Sequence, residues 1–237
     1  MAEISAATVM KLRRMSGQGM MDCKKALQQA NGDIDEAMGV LRKKGLATLS
    51  KRAERETSEG VVIAAKGSKW ASLATLCCET DFVARSEDFT AAVDLFGDYV
   101  AKCKADSGAD NLRETEIDGK KLSEVIAETV SKTGEKVQIG DYEKYVLDEP
   151  GLIGTYIHFN GKVGAMVHIA TSDENTAATG RLEQAAADIA MHITAIKPLT
   201  LDRNGVDAET VEREKGIFAA QIKNKPPQII EKIIEGK

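Results

Sequence analysis

CCETDFVARSEDF, residues 77–89, is where the chain changes its hydrophobic period. Before it, an apolar run from Leu73 to Cys78 closes WASLATLCC (70–78), short enough and well enough bounded by turn residues to read as a strand. After it, Phe89, Ala92, Val93, Phe96, Val100 and Cys103 recur at helical spacing, on a helix that begins near Asp88. The corner between them sets an acid, Asp81, beside an aromatic, Phe82, where a loop usually carries small or polar residues. Two readings compete. In one, Asp81 caps the coming helix and Phe82 staples its first turn. In the other, Phe82 is an exposed wedge for a partner's pocket, and the neighbouring carboxylate competes for a polar network that the partner uses elsewhere.

Upstream, VVIAA (61–65) and a turn at Lys66-Gly67-Ser68 pair with the strand as a β-hairpin. The same order returns downstream: LIGTYIHF (152–159), a turn at Asn160-Gly161, KVGAMVHIA (162–170), then a helix carrying Leu182, Ala186, Ile189, Ile193 and Ile196. A lysine follows each turn (Lys69, Lys162), which suggests an internal duplication. Between the two units, a short helix near 121–131 and a strand around 136–147 are expected to complete the first sheet. The 182–196 spacing of 4, 3, 4, 3 is a heptad seam. Lys197-Pro198 ends it, Asp207 can cap a helix with Val211, Phe218 and Ile222, and Pro226-Pro227 starts a last helix with Ile230, Ile233 and Ile234. These helices are expected to fold back on one another as an antiparallel projection.

The N-terminal segment is helical. Ser5 can cap a helix with Val9, Leu12 and Met15, SGQG (16–19) breaks it, and Met20, Cys23, Leu27 and Ala30 share the face of a second. Asn31-Gly32 supplies a left-handed stop. Asp33 with Glu36 then opens a third helix carrying Ile34, Ala37, Met38 and Leu41. Between Arg42 and Arg55 stand six basic residues and one acid. Without interleaved aromatics they read as a solvated helix end and linker rather than a nucleic-acid patch.

Composition agrees with several modest cores. Of 237 residues 43% are hydrophobic but only 4% aromatic, and the net charge of −5 argues against nucleic acid as the principal partner. The first residues have no signal-peptide or transit-peptide pattern and no apolar run approaches a membrane span, so a soluble cytoplasmic protein without a membrane partner is expected. Catalytic signatures are missing: no Walker loop, no GxGxxG after a strand, no GxSxG. His158, His168 and His192 lack metal-site spacing, and Cys23, Cys77, Cys78 and Cys103 contain no CxxC pair. Neither a catalytic residue, a metal site nor a cofactor is expected, and the cysteines read as thiols of a reducing compartment.

LRRMSGQGMMDCKKAL (12–27) and ETDFVAR (79–85) resemble the two signature segments of the bacterial elongation factor Ts family. NGDIDEAMGVLRKKG (31–45), IAMHITAIKP (189–198) and KPPQIIEKIIEGK at the end are similar to it as well, in the same order along the chain. The resemblance implies an α+β architecture. Its parts are a ubiquitin-associated-like three-helix domain and linker over 1–55, a core N-subdomain over 56–140, a core C-subdomain over 141–187 and a helical coiled-coil protrusion over 188–237. The two subdomains would carry antiparallel sheets. In many relatives a strand beyond the position of Lys237 completes the second sheet, so the C-subdomain is expected to be incomplete.

The resemblance also implies a non-enzymatic guanine nucleotide exchange factor for the GTPase elongation factor Tu. Thr80, Asp81, Phe82 and Val83 match the motif that enters the GTPase near its magnesium site. Arg13, Met20 and Met21 match N-terminal positions that touch its nucleotide-binding domain, and His158 a position that meets one of its β-domains. Ser16 keeps the hydroxyl of the family's usual Thr, whereas Thr75 and Cys77 replace common Glu and Asn. Two rival classes remain: a ubiquitin-like-binding or peptide-binding adaptor, resting on the three-helix domain alone, and an enzyme using Asp81 or the cysteine pair.

Overall fold

The computed structural model, which describes residues 4–221 and Ile233, is an α+β chain of helices and antiparallel sheets. Ser5 opens α1 (Ala6–Ser16) by accepting from the Thr8 amide at 3.1 Å, and α2 (Met20–Gln29) follows the SGQG break. Asn31 (φ 48°) and Gly32 (φ 91°) supply the left-handed turn, after which the Asp33 carboxylate accepts from the Glu36 amide at 2.8 Å and opens α3 (Ile34–Lys51). Val9, Leu12, Cys23, Ala26, Leu27, Ala37 and Leu41 form the core of this three-helix bundle. Met15, at helical spacing from Leu12, is exposed instead. The third helix continues through the basic run to Lys51, so most of that charge lies along a helix.

Two strands, β1 (Glu59–Lys66) and β2 (Trp70–Cys78), form the first hairpin, with Val61 opposite Leu76. The chain then passes through a single turn, α4 (Asp81–Ala84), into α5 (Glu87–Lys102). After α6 (Ala109–Arg113) and the small pair β3 (Glu116–Ile117) and β4 (Lys120–Lys121) comes α7 (Leu122–Thr133). β5 (Val137–Val146) then adds to β2, giving the order β1-β2-β5. Alternate residues of β2, Ala74, Leu76 and Cys78, face one core with Phe89, Phe96 and Val100 of α5 and Val130 of α7. Both helices therefore cover the same side of the sheet.

The bundle docks on α7. A Cβ on Gly45 would lie 2.7 Å from the Ala127 carbonyl, so only glycine lets α3 approach this closely. Buried Gln18 accepts from the Ser131 hydroxyl at 2.7 Å, and Arg42 pairs with Glu124.

The second hairpin is β6 (Gly151–Ile157) with β7 (Gly164–Ala170), a two-stranded sheet among the described residues. It is tied to β1 by the Val62 amide donating to the Gly161 carbonyl at 2.7 Å and by Lys162 to Glu59 at 2.5 Å. After α8 (Glu174–Ala177), α9 (Gly180–Ile196) returns over β6. A Cβ on Gly154 would stand 2.7 Å from the Ala186 Cβ. This close approach buries Ala186, a member of the expected seam, and Ala190 beside it; of the other seam residues Leu182 and Ile193 are half-buried, whereas Ile189 and Ile196 are 43% and 58% exposed. The contact with β6 thus takes the seam at Ala186 and extends to Ala190, because a helix lying against glycine backbone needs alanine at the contact.

Contacts divide the chain into Met1–Ala195 and Ile196–Lys237. In the second unit Asp207 accepts from the Thr210 amide at 2.7 Å and opens α10 (Ala208–Gln221). Ile222 and the helix expected from Pro226 lie outside the described residues, Ile233 apart. No helix among the described residues is long and apolar enough to cross a membrane.

Candidate functional site

The corner at residues 79–86 is built by two successive caps. Thr80, in extended backbone, accepts from the Val83 amide through Oγ1 at 3.3 Å and starts α4. Ser86 accepts from the Phe89 amide at 3.3 Å and starts α5. Capping therefore falls to Thr80 and Ser86, and Asp81 occupies the first helical position, where its charge is favourable to the helix dipole. Phe82 does not staple the turn: it is 83% exposed, while its neighbours Val83 and Ala84 pack against the first core. A large apolar ring is thus held in water on a short helix whose other face is anchored. Asp81 is also at the surface and meets Arg85 at 3.4 Å.

Behind the corner lies a part-buried polar support. The Thr80 amide and hydroxyl both donate to Glu135, at 3.0 and 2.8 Å. Glu79 accepts from the Lys136 amide at 2.5 Å, from Arg55 at 2.9 Å and from Arg52 at 3.3 Å. Burial works to raise the Glu79 pKa, but the Lys136 amide, Arg55 and Arg52 outweigh it and hold the carboxyl below its ordinary range. The Cys78 thiol donates to the Thr80 carbonyl at 3.3 Å, and burial, reinforced by the Glu135 and Glu59 carboxylates, pushes its pKa up to about 12. Burial raises Cys77 as well, with Asp141 adding and a Thr75 hydrogen bond opposing. Thiols kept protonated in this way are poor nucleophiles.

Arg13, Met20 and Met21 flank the SGQG break, at the end of α1 and the start of α2, and all three are exposed. Met10 and Met15 join them as exposed methionines of the same bundle. His158 follows β6 and is half-buried. Its Nδ1 lies 3.1 Å from the Tyr156 hydroxyl and its ring 4.3 Å from that of Phe159. His168 and His192 are exposed on β7 and α9. Among the described residues no group of three or more His, Cys, Asp or Glu is placed to hold a metal ion.

A family model described as Elongation factor TS matches residues 79–237. Proteins named Elongation factor Ts from Nitratiruptor sp. and Chlorobium phaeobacteroides are each 41% identical to this chain. The first alignment covers 99% of this chain and 77% of the relative, the second 100% and 83%. The protein of that name from Clostridium acetobutylicum is 39% identical over 99% of this chain and 76% of its own. The chain belongs to the elongation factor Ts family. The family match begins at Glu79, so it takes in the whole corner.

In this member of the elongation factor Ts family, the Thr80–Val83 motif is one corner, with Thr80 capping the α4 turn that carries the rest, while Arg13 lies on α1, Met20 and Met21 on α2 and His158 just after β6. Sequence reasoning missed the residues behind and beside these candidates. Glu135 and Lys136 lie more than fifty positions from the motif they support, a pairing that no local period signals. Phe159, 92% exposed, is a larger apolar feature than His158, and its place beside an Asn-Gly turn was the available clue.

Proposed function

We propose that this chain is a guanine nucleotide exchange factor that binds elongation factor Tu in its GDP form and promotes GDP release by disturbing the magnesium and phosphate site, making and breaking no covalent bond itself. The observation that carries this reading is Phe82, 83% exposed at the tip of an anchored corner with Asp81 beside it. Burying such a ring in a partner contributes about 1.5–3 kcal/mol, available only when the partner opens to admit it. Asp81 exchanges its exposed Arg85 contact for polar groups that otherwise hold the partner's ion. With the ion's charge compensation weakened, the phosphates lose much of their hold, and GTP then rebinds and displaces the factor.

Linkage follows directly. If the factor binds the nucleotide-free GTPase more tightly than the GDP form, GDP weakens the factor's grip by the same ratio. Arg13, Met20 and Met21 would hold the nucleotide-binding domain, and His158 with Phe159 a β-domain, keeping the two proteins in register. In this division of labour, residues 1–55 and 141–187 provide anchoring and 56–140 carries the wedge.

Release of mant-GDP from elongation factor Tu, followed by stopped flow, tests the reading with Phe82→Ala and Asp81→Ala. Phe82→Ala is expected to slow factor-stimulated release about 10- to 100-fold, the rate equivalent of the lost burial. Because the ring is exposed in the free protein, its melting temperature should be unchanged. Both variants stimulating release as well as the parent would overturn the assignment.

A further inference from the structure

The corner is clamped from two sides. Each oxygen of Glu135 takes a proton donor of Thr80, the hydroxyl at 2.8 Å and the amide at 3.0 Å. A hydroxyl whose hydrogen is committed to Glu135 presents its lone pairs elsewhere, and one of them meets the Val83 amide at 3.3 Å. The carboxylate thereby fixes the rotor that starts α4, the turn carrying Phe82. One residue earlier, Glu79 binds the Lys136 amide and two arginines, Arg52 and Arg55, from the chain that follows α3. Lys136, itself buried, closes the loop by donating its ammonium to the Ala53 and Arg55 carbonyls at 2.7 and 2.8 Å. Gln138 adds a bond to Thr57 at 2.8 Å. Lys136 is buried and Glu79, Glu135 and Arg52 are part-buried, a placement that is costly for charges unless they are paired as here.

We propose that Glu135 and Glu79 are positioning residues for nucleotide exchange: they hold the Phe82 turn in its projecting geometry and tie it to the chain leaving the N-terminal bundle. This rests on the exchange reading above. Neither carboxylate touches the GTPase; each acts through Thr80 and the turn. Because the anchoring residues Arg13, Met20 and Met21 lie elsewhere, loosening the clamp lowers the rate at which bound GDP is expelled and leaves the encounter with the GDP form nearly untouched.

Stopped-flow mant-GDP release, measured against increasing factor concentration, separates these effects. Glu135→Gln, whose amide nitrogen cannot accept, is expected to lower the maximal release rate about fivefold, as loss of one net hydrogen bond would. The half-saturating concentration should stay within about twofold of the parent, since binding without prying is unaltered. Thr80→Val, which removes the hydroxyl that Glu135 holds, should lower the maximal rate as Glu135→Gln does while leaving both carboxylates in place. Glu79→Gln is tested in the same way.

A double-mutant cycle with Phe82→Ala decides between positioning and general stability. If the clamp works through the wedge, Glu135→Gln adds nothing to the slowed release of Phe82→Ala. If the effects instead multiply, or if Thr80→Val and Glu135→Gln both leave the maximal rate unchanged, the positioning role is wrong while the exchange reading stands. Should Phe82→Ala alone release as fast as the parent, the exchange reading fails and the positioning role falls with it.

Discussion

Glu79 accepts from two arginines and a main-chain amide, and this has a consequence for pH. Burial opposes its ionisation, yet the Lys136 amide, Arg55 and Arg52 bring the folded pKa below the ordinary 4.5. Around that pH the unfolded chain binds a proton more readily than the folded one. The stability contributed by this carboxylate is therefore complete above pH 4.5 and is lost as pH falls through the lowered folded value. Thermal melts of the parent should fall on the acid side of pH 4.5, and Glu79→Gln should flatten part of that slope. Parallel curves for the two proteins would contradict the pairing. At this scale the sequence was readable only for chemistry that is local. Asp81 and Phe82 stand out because an acid and an aromatic are unusual at a strand-to-helix corner. The choice between staple and wedge needed the exposure of the ring, and the partners of Glu79 needed the fold.

Elements were legible in proportion to their length. The long helices α5 and α9 and both hairpins follow from helical spacing, apolar runs and turn residues, because each repeats its pattern several times. The four-residue α4 and the two-residue strands β3 and β4 are too short to repeat anything. On α9 the spacing marks Ala186 but not Ala190, because the deciding partner, Gly154, lies in another element. That contact carries its own prediction. Gly154→Ala would place a methyl 2.7 Å from the Ala186 Cβ and 2.8 Å from its main-chain carbonyl carbon and oxygen. Forcing α9 off the strand should cost about 1–3 kcal/mol, outweighing the entropic gain of replacing glycine. Urea unfolding should show a lower midpoint, and an unchanged or higher midpoint would mean that α9 does not pack on β6 this closely.

For the molecule as a whole, the α+β class and the three-helix N-terminal bundle were apparent in the sequence because each is the sum of local patterns. The docking of that bundle on α7 was not, since it depends on glycine at position 45, on the buried amide of Gln18 and on the Arg42–Glu124 pair. Function lies at this scale too: in the proposed reading, several anchoring patches keep one exposed ring in register, and the chemistry of release belongs to the partner. The most direct measurement is the structure of this chain bound to nucleotide-free elongation factor Tu. The account predicts that Phe82, bare in the free protein, is buried in the GTPase beside its magnesium and phosphate site, with Thr80 still held by Glu135. A complex in which the Phe82 ring remains in solvent, away from that site, would contradict it.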